Sequence, residues 1–185
     1  TLASVDPQAP PLARLPPVRL VRPTGDIFRR QLSLVANYAE LREDRGPEIL
    51  AQLPNQTAFW GSVIGLTAHR HAWTLELVTL MLALAGDVEM RFKHAFACPR
   101  PVDLSPQVQP MIPTPGHGSW PSGHATEAFT IVTVLQHLLP HGHKFKEQLE
   151  RLAARVGVNR TVAGVDFPLD SAAGRLLGTG LAQYF

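Results

Sequence analysis

The chain has 185 residues, 45% apolar and 17% charged, enough for one ordinary packed domain and too apolar for a disordered chain. Its net charge is +2 with a pI near 9.0, and the basic residues do not gather into the kind of run that tracks nucleic acid. The single cysteine, Cys98, excludes an internal disulfide and a multi-cysteine zinc site, and no stretch reaches the ~18–20 apolar residues that span a bilayer.

Residues 1–24 carry six prolines and are expected to lie extended over the surface. The chain opens on Thr1 without a signal-peptide pattern and closes in a largely apolar run, 176–185. A processed or a trimmed start, and a natural chain that continues further, are the expectations. Residues 25–185 read as one helical domain. Asp26 is expected to cap a helix over 26–41, and a second helix spans 47–53 with Pro47 in its first turn. A shorter helix covers 56–66. The longest runs over 73–96 and stops before Pro99 and Pro101. Residues 99–121 hold seven prolines and form a long loop, a length that is often functional inside a compact domain. Helices then follow over 122–139, 143–156 and 167–184. No strand run or internal repeat is found, so the fold class is all-α.

Three segments carry chemistry. In the first, Lys93 sits in the last turn of the long helix and Arg100-Pro101 follows seven residues on, so two long cations can reach one cavity. The plain alternative is a pair of surface cations near a helix end. The second is Gly118-Ser119-Trp120-Pro121-Ser122-Gly123-His124, an abrupt loop-to-helix turn. Its first-turn backbone N–H groups and the Ser122 hydroxyl would make an anion site, with His124 placed to move a proton. The alternative is a serine cap beside an unrelated histidine. In the third, Arg160 follows Asn159, and Asp166 and Asp170 lie four apart on one face if a helix begins near Phe167. Arginine dominates throughout: 14 of the 17 basic residues, a preference suited to bidentate binding of carboxylate and phosphate.

In this order, Lys-x6-Arg-Pro, Pro-Ser-Gly-His and Arg-x5-Asp-x3-Asp over residues 90–175 resemble a three-part superfamily signature. That superfamily joins the vanadium-dependent haloperoxidases with the type 2 phosphatidic acid phosphatases and the bacterial class A acid phosphatases. The resemblance implies a helical bundle of that type. It implies that Lys93, Arg100 and Arg160 hold the equatorial oxygens of a vanadate or phosphoryl group. Ser122 and the Gly123 backbone would donate hydrogen bonds, His124 would be the general acid/base, and Asp170 would orient the nucleophile. The chain departs from the signature at one place: Asp166 stands where the superfamily carries its essential histidine, the phosphatase nucleophile and the haloperoxidase link to vanadium. A carboxylate there repels an anion by on the order of 4 kcal/mol per charge pair at ~4 Å and an effective dielectric near 20. It can also serve as a phosphorylated nucleophile. An engineered inactivation, a natural variant with altered chemistry and a binding-only pseudoenzyme all remain open.

His117, five residues before Ser122, resembles a histidine near the proposed halide site of bromoperoxidases, so the first expectation is a vanadate-dependent haloperoxidase, inactivated or altered at Asp166. Its cofactor would be vanadate, held at position 166, and its substrates peroxide and halide. The alternatives are an acid phosphatase hydrolysing phosphate monoesters without a cofactor, and a non-catalytic oxyanion-binding protein. No nucleic acid partner and no integral membrane segment are expected. His69 and His71 lie two apart and share no helix face, which argues against a metal pair. Trp60 and Trp73 are assigned to the core, Arg42, Asp44 and Arg45 to a solvated junction, and His141 and His143 to a polar loop.

Overall fold

The computed structural model describes residues 18–54, 56–140 and 144–184, all helix and loop with no strand among them. The expectations for residues 1–17, His141 and His143 lie outside the described residues; residues 18–24 carry no regular structure. The helices are α1 (Gly25–Arg30), α2 (Leu32–Ala39), α3 (Arg42–Ala51), α4 (Thr57–Ile64), α5 (Ala72–Phe96), α6 (Pro101–Leu104), α7 (Gly123–Leu138), α8 (Phe145–Val162) and α9 (Pro168–Tyr184). A 3-10 turn, Pro106–Val108, follows α6.

Helix α7 is the axis of the bundle. It buries Ala125, Ala128, Phe129, Ile131, Val132 and Leu135, and α5, α8 and α9 pack around it. Trp60, Val78, Leu149, Ala153 and Val156 complete this core. At roughly 1.5–3 kcal/mol for each large apolar side chain removed from water, this cluster is the main source of stability. Helix α9 approaches α7 so closely that only glycine fits at two positions one turn apart. A Cβ on Gly174 would come within 2.6 Å of the Ser122 carbonyl oxygen, and one on Gly178 within 2.3 Å of the Thr126 oxygen. This contact seats the start of α9 against the start of α7, where the Ser122 N–H donates to the Asp170 carbonyl at 3.0 Å.

Several boundaries differ from the sequence expectation. The helix expected over 26–41 is two helices meeting at Gln31, and Thr24, not Asp26, is the residue before the first turn. Helix α3 begins at Arg42 and holds Pro47 in its interior. Helix α8 runs six residues past the expected end at 156. Its last turns, Gly157, Asn159, Arg160 and Thr161, are small or polar yet buried, so the apolar period fades where the helix faces a polar site instead of the core. Trp73 is 84% exposed and not in the core. The buried stripe of α5 runs through Val78, Met81, Ala85, Glu89 and Lys93 at three- and four-residue steps, and Trp73 falls off it. Arg42 and Arg45 are not a solvated junction either. Arg42 donates to the carbonyls of Val162, Gln109 and Val108 at 2.9–3.0 Å, and Arg45 to Asn159 Oδ1 at 3.1 Å, which ties α3 to α8. Among the described residues no helix is long and apolar enough to cross a membrane.

Candidate active site

The ends of α5 and α8 and the start of α7 meet at a cavity of about 210 Å³. Lys93, Arg100, His117, Gly123, His124, Arg160 and Asp166 all line it, with Leu53, Ile112, Pro113 and Pro115 at its apolar side. Each cation arrives on a different support. Lys93 lies on the buried stripe of α5, 2% exposed, and its ammonium donates to the carbonyls of Gly118 and Ser119 at 3.2 and 3.1 Å. Helix α5 ends at Phe96, and the left-handed backbone of Ala97 (φ 44°) turns the chain toward Pro99 and so brings Arg100 back over the cavity. Arg100 Nε donates to the His117 carbonyl at 3.0 Å, while Nη1 reaches the Val165 carbonyl at 2.8 Å and Asp166 Oδ1 at 2.7 Å.

Arg160 is held from behind. Its Nη2 donates to Gln52 Oε1 at 3.1 Å and to the Ile49 carbonyl at 3.3 Å, whereas Nε and Nη1 are buried without a partner. The same Gln52 oxygen accepts from Asn159 Nδ2 at 3.0 Å, and Asn159 donates to Glu48 Oε1 at 2.9 Å. A guanidinium that is 2% exposed with two N–H-bearing atoms unpaired is costly unless an acceptor arrives. Ser122 Oγ is a second orphaned donor; as the residue before α7 it makes no side-chain capping bond, which sets aside the plain serine-cap reading.

Asp166 lies in the loop before α9, not on a helix face shared with Asp170. Asp170 is fully buried, and its Oδ2 accepts from the Phe167 N–H at 2.7 Å. It therefore fixes the start of α9, while its Oδ1 is buried without a partner. Burial, then the nearby Asp166 charge, push the Asp170 carboxyl well above its usual range. His117 sits beside Arg100, Nδ1 to Nη2 at 3.2 Å, and burial lowers its pKa.

Burial and the Arg160 charge depress His124 to about 4, so its imidazole is neutral at pH 7 and able to accept a proton there. It becomes a proton donor only in acid. Burial also lowers Lys93, and brings Arg160 down to about 10.

Three contributors escaped the sequence reading. Nothing in the local pattern around Gln52 marks it; only the packing of α3 on α8 brings it to Arg160. Glu89 and Glu127 also line the cavity. Burial raises Glu127 to about 7 and Glu89 to about 8. The spacing of Glu89 four residues before Lys93, and of Glu127 three after His124, was the available signal.

The residues do not fit vanadate held in the superfamily's manner, because position 166 presents a carboxylate bonded to Arg100 and no imidazole nitrogen. Among the described residues no three His, Cys, Asp or Glu side chains come together to hold a metal ion.

A family model described as "PAP2 superfamily" matches residues 73–185, which contain all three signature segments. No curated protein matches the chain. Among solved structures, the fold is similar to that of the transmembrane PAP2 type phosphatidylglycerolphosphate phosphatase from Bacillus subtilis, with a TM-score of 0.62 and 20% identity over 87% of this chain and 85% of that one. It is also similar to Aquifex aeolicus LpxE, with a TM-score of 0.57 and 26% identity over 90% of this chain and 98% of that one.

Proposed function

The chain belongs to the PAP2 superfamily, and from that premise we propose that it binds the phosphoryl group of a phosphate monoester in this cavity and acts as a phosphatase. The observation that carries the reading is Arg160, buried with Nε and Nη1 unpartnered beside a cavity that Lys93, Arg100 and His124 also line. Fixed donors of this kind suit a group carrying several anionic oxygens. The Bacillus neighbour is a phosphatase by name, which backs the phosphatase alternative better than the haloperoxidase expectation.

In this mechanism Lys93, Arg100, Arg160, Ser122 and the first N–H groups of α7 hold the non-bridging oxygens. An Asp166 carboxylate oxygen attacks phosphorus, the P–O bond to the alcohol breaks, and its electron pair leaves on the alcohol oxygen. Protonated His124 supplies the proton to that oxygen. Water then cleaves the acyl phosphate, and neutral His124 takes its proton. Because His124 is protonated only near pH 4, the first step is favoured in acid.

A second reading, non-catalytic oxyanion binding, is favoured by a separate observation: Asp166 already engages Arg100 Nη1. Turnover of p-nitrophenyl phosphate between pH 4 and 8 by the natural chain and by Asp166→His separates the two. The phosphatase reading expects slow turnover rising toward acid, accelerated by the histidine. Silence of both forms while inorganic phosphate still binds would leave only the second reading. Absence of phosphate binding removes both.

A further inference from the structure

Glu89 belongs to none of the three signature segments, yet its carboxyl lies inside the structure they build. It sits one helical turn before Lys93 on α5 and is 7% exposed. A Cβ added to Gly123, the first residue of α7, would meet Glu89 Oε1 at 2.4 Å and Oε2 at 3.0 Å. The carboxyl therefore packs on the first residue of a helix start, whose free N–H groups are suited to an anion. A buried carboxylate in that place would be expected to take up a neighbouring cation. Lys93 instead gives its ammonium to Gly118 and Ser119, and Glu89 Oε2 is buried with no partner at all. Ser122 Oγ and two nitrogens of Arg160 share that condition at the same site. Glu89 and Arg160 line the cavity and Ser122 immediately precedes its lining residue Gly123; with a proton on Glu89, all three are donors that lack an acceptor.

We propose that Glu89 is a further anion-binding residue of this cavity, meeting the oxyanion as a carboxylic acid whose O–H donates a hydrogen bond to an anion oxygen. The inference rests on the oxyanion reading of the site and extends it: the anion is taken up only with a proton resident on Glu89. Burial raises Glu89 to about 8, against the pull of Lys93 and with a push from Glu127, so the acid form prevails at neutral pH. Ionisation would place a second carboxylate beside Asp166 and oppose the anion. The other charged or titratable groups around the cavity are Lys93 on the same helix, His124 and Glu127 on α7, Arg160 on α8, and Arg100 and His117 in the loops. Of these, Lys93 and Glu127 could mimic the effect, since loss of a cation or gain of an anion also weakens binding as pH rises.

The test is calorimetric binding of sulfate, whose charge is constant across the range, from pH 6.5 to 9. It uses the natural chain, Glu89→Gln, Glu89→Met and Arg160→Met, each shown folded by circular dichroism. The natural chain should lose affinity above pH 8, approaching ~10-fold per pH unit for one linked proton. Glu89→Gln keeps an N–H donor and should bind within ~3-fold at pH 6.5, with the fall largely gone. Glu89→Met, without a donor, should bind roughly 5- to 20-fold more weakly at pH 6.5, the cost of one charge-assisted hydrogen bond. An unchanged pH slope in Glu89→Gln, or full affinity in Glu89→Met, overturns the proposal while the oxyanion site stands. If the natural chain binds no sulfate, or Arg160→Met binds it equally well, the oxyanion reading falls and takes the proposal with it.

Discussion

Replacing Asp166 with asparagine should tighten phosphate binding while weakening the fold. An anion centred in a cavity of about 210 Å³ lies on the order of 4–5 Å from a carboxylate on its wall. Repulsion there is about 3–4 kcal/mol per charge pair at an effective dielectric near 20. Arg100, 2.7 Å from Asp166, already neutralises much of that field. A residual of about 1.5–3 kcal/mol corresponds to roughly ten- to a hundredfold in affinity. The same substitution breaks an ion pair whose two side chains are 5% and 6% exposed, and losing one partner of a buried pair costs about 3–5 kcal/mol. Asparagine keeps an acceptor for Arg100 and should stay at the lower end. The assay is calorimetric titration with phosphate at pH 7 beside thermal melts with and without phosphate. Expected are a lower Tm without ligand and a larger phosphate-induced rise. Equal or weaker phosphate affinity in Asp166→Asn would show that the carboxylate does not face the anion, and the account of the site would fail.

Gln52→Ala removes the acceptor shared by Arg160 and Asn159; it should lower unfolding free energy by about 1–3 kcal/mol in urea titrations and weaken phosphate binding, and unchanged binding would show that Arg160 is held without it. Gly178→Ala sets a methyl against the Thr126 carbonyl oxygen; prying α9 from α7 should cost about 1–3 kcal/mol or more, read as a reduced Tm. Glu127 is raised to about 7 in the fold, so its proton is favoured there. The associated stability is complete below pH 4.5 and is lost as pH rises through 7. Glu127→Gln should flatten the pH dependence of urea stability between pH 5 and 8, and an unaltered profile would assign that dependence to other groups. His124 works in the opposite direction: with its pKa depressed to about 4, its contribution is present above pH 6.5 and lost on acidification through 4. Replacing it with asparagine should remove part of the acid destabilisation seen in the same titrations.

Most of the fold was legible because its signals are local. The long helix before Pro99 and the turn at Ser122-Gly123 each follow from residues adjacent in the chain, whereas the proline-rich stretch expected as one loop over 99–121 holds α6 and a 3-10 turn, each started by a proline. Two of the misreadings share one cause. Periodicity assumes that polar means exposed, and at the end of α8 the polar residues Asn159, Arg160 and Thr161 are buried around a site. Arg42 looked solvated for the same reason, although its three acceptors lie more than sixty residues away in the chain.

The amino-acid order by itself determined the all-helical class, the three signature segments and the departure at position 166, since propensity, proline placement and residue spacing all act over a few neighbours. Tertiary structure alone decided that Gln52 braces Arg160, that Asp166 pairs with Arg100 while Asp170 turns to the Phe167 N–H, and that Glu89 joins the cavity. Charge state and hydrogen-bond partner depend on burial and on distances between remote segments. Those quantities come into being only when the helices pack.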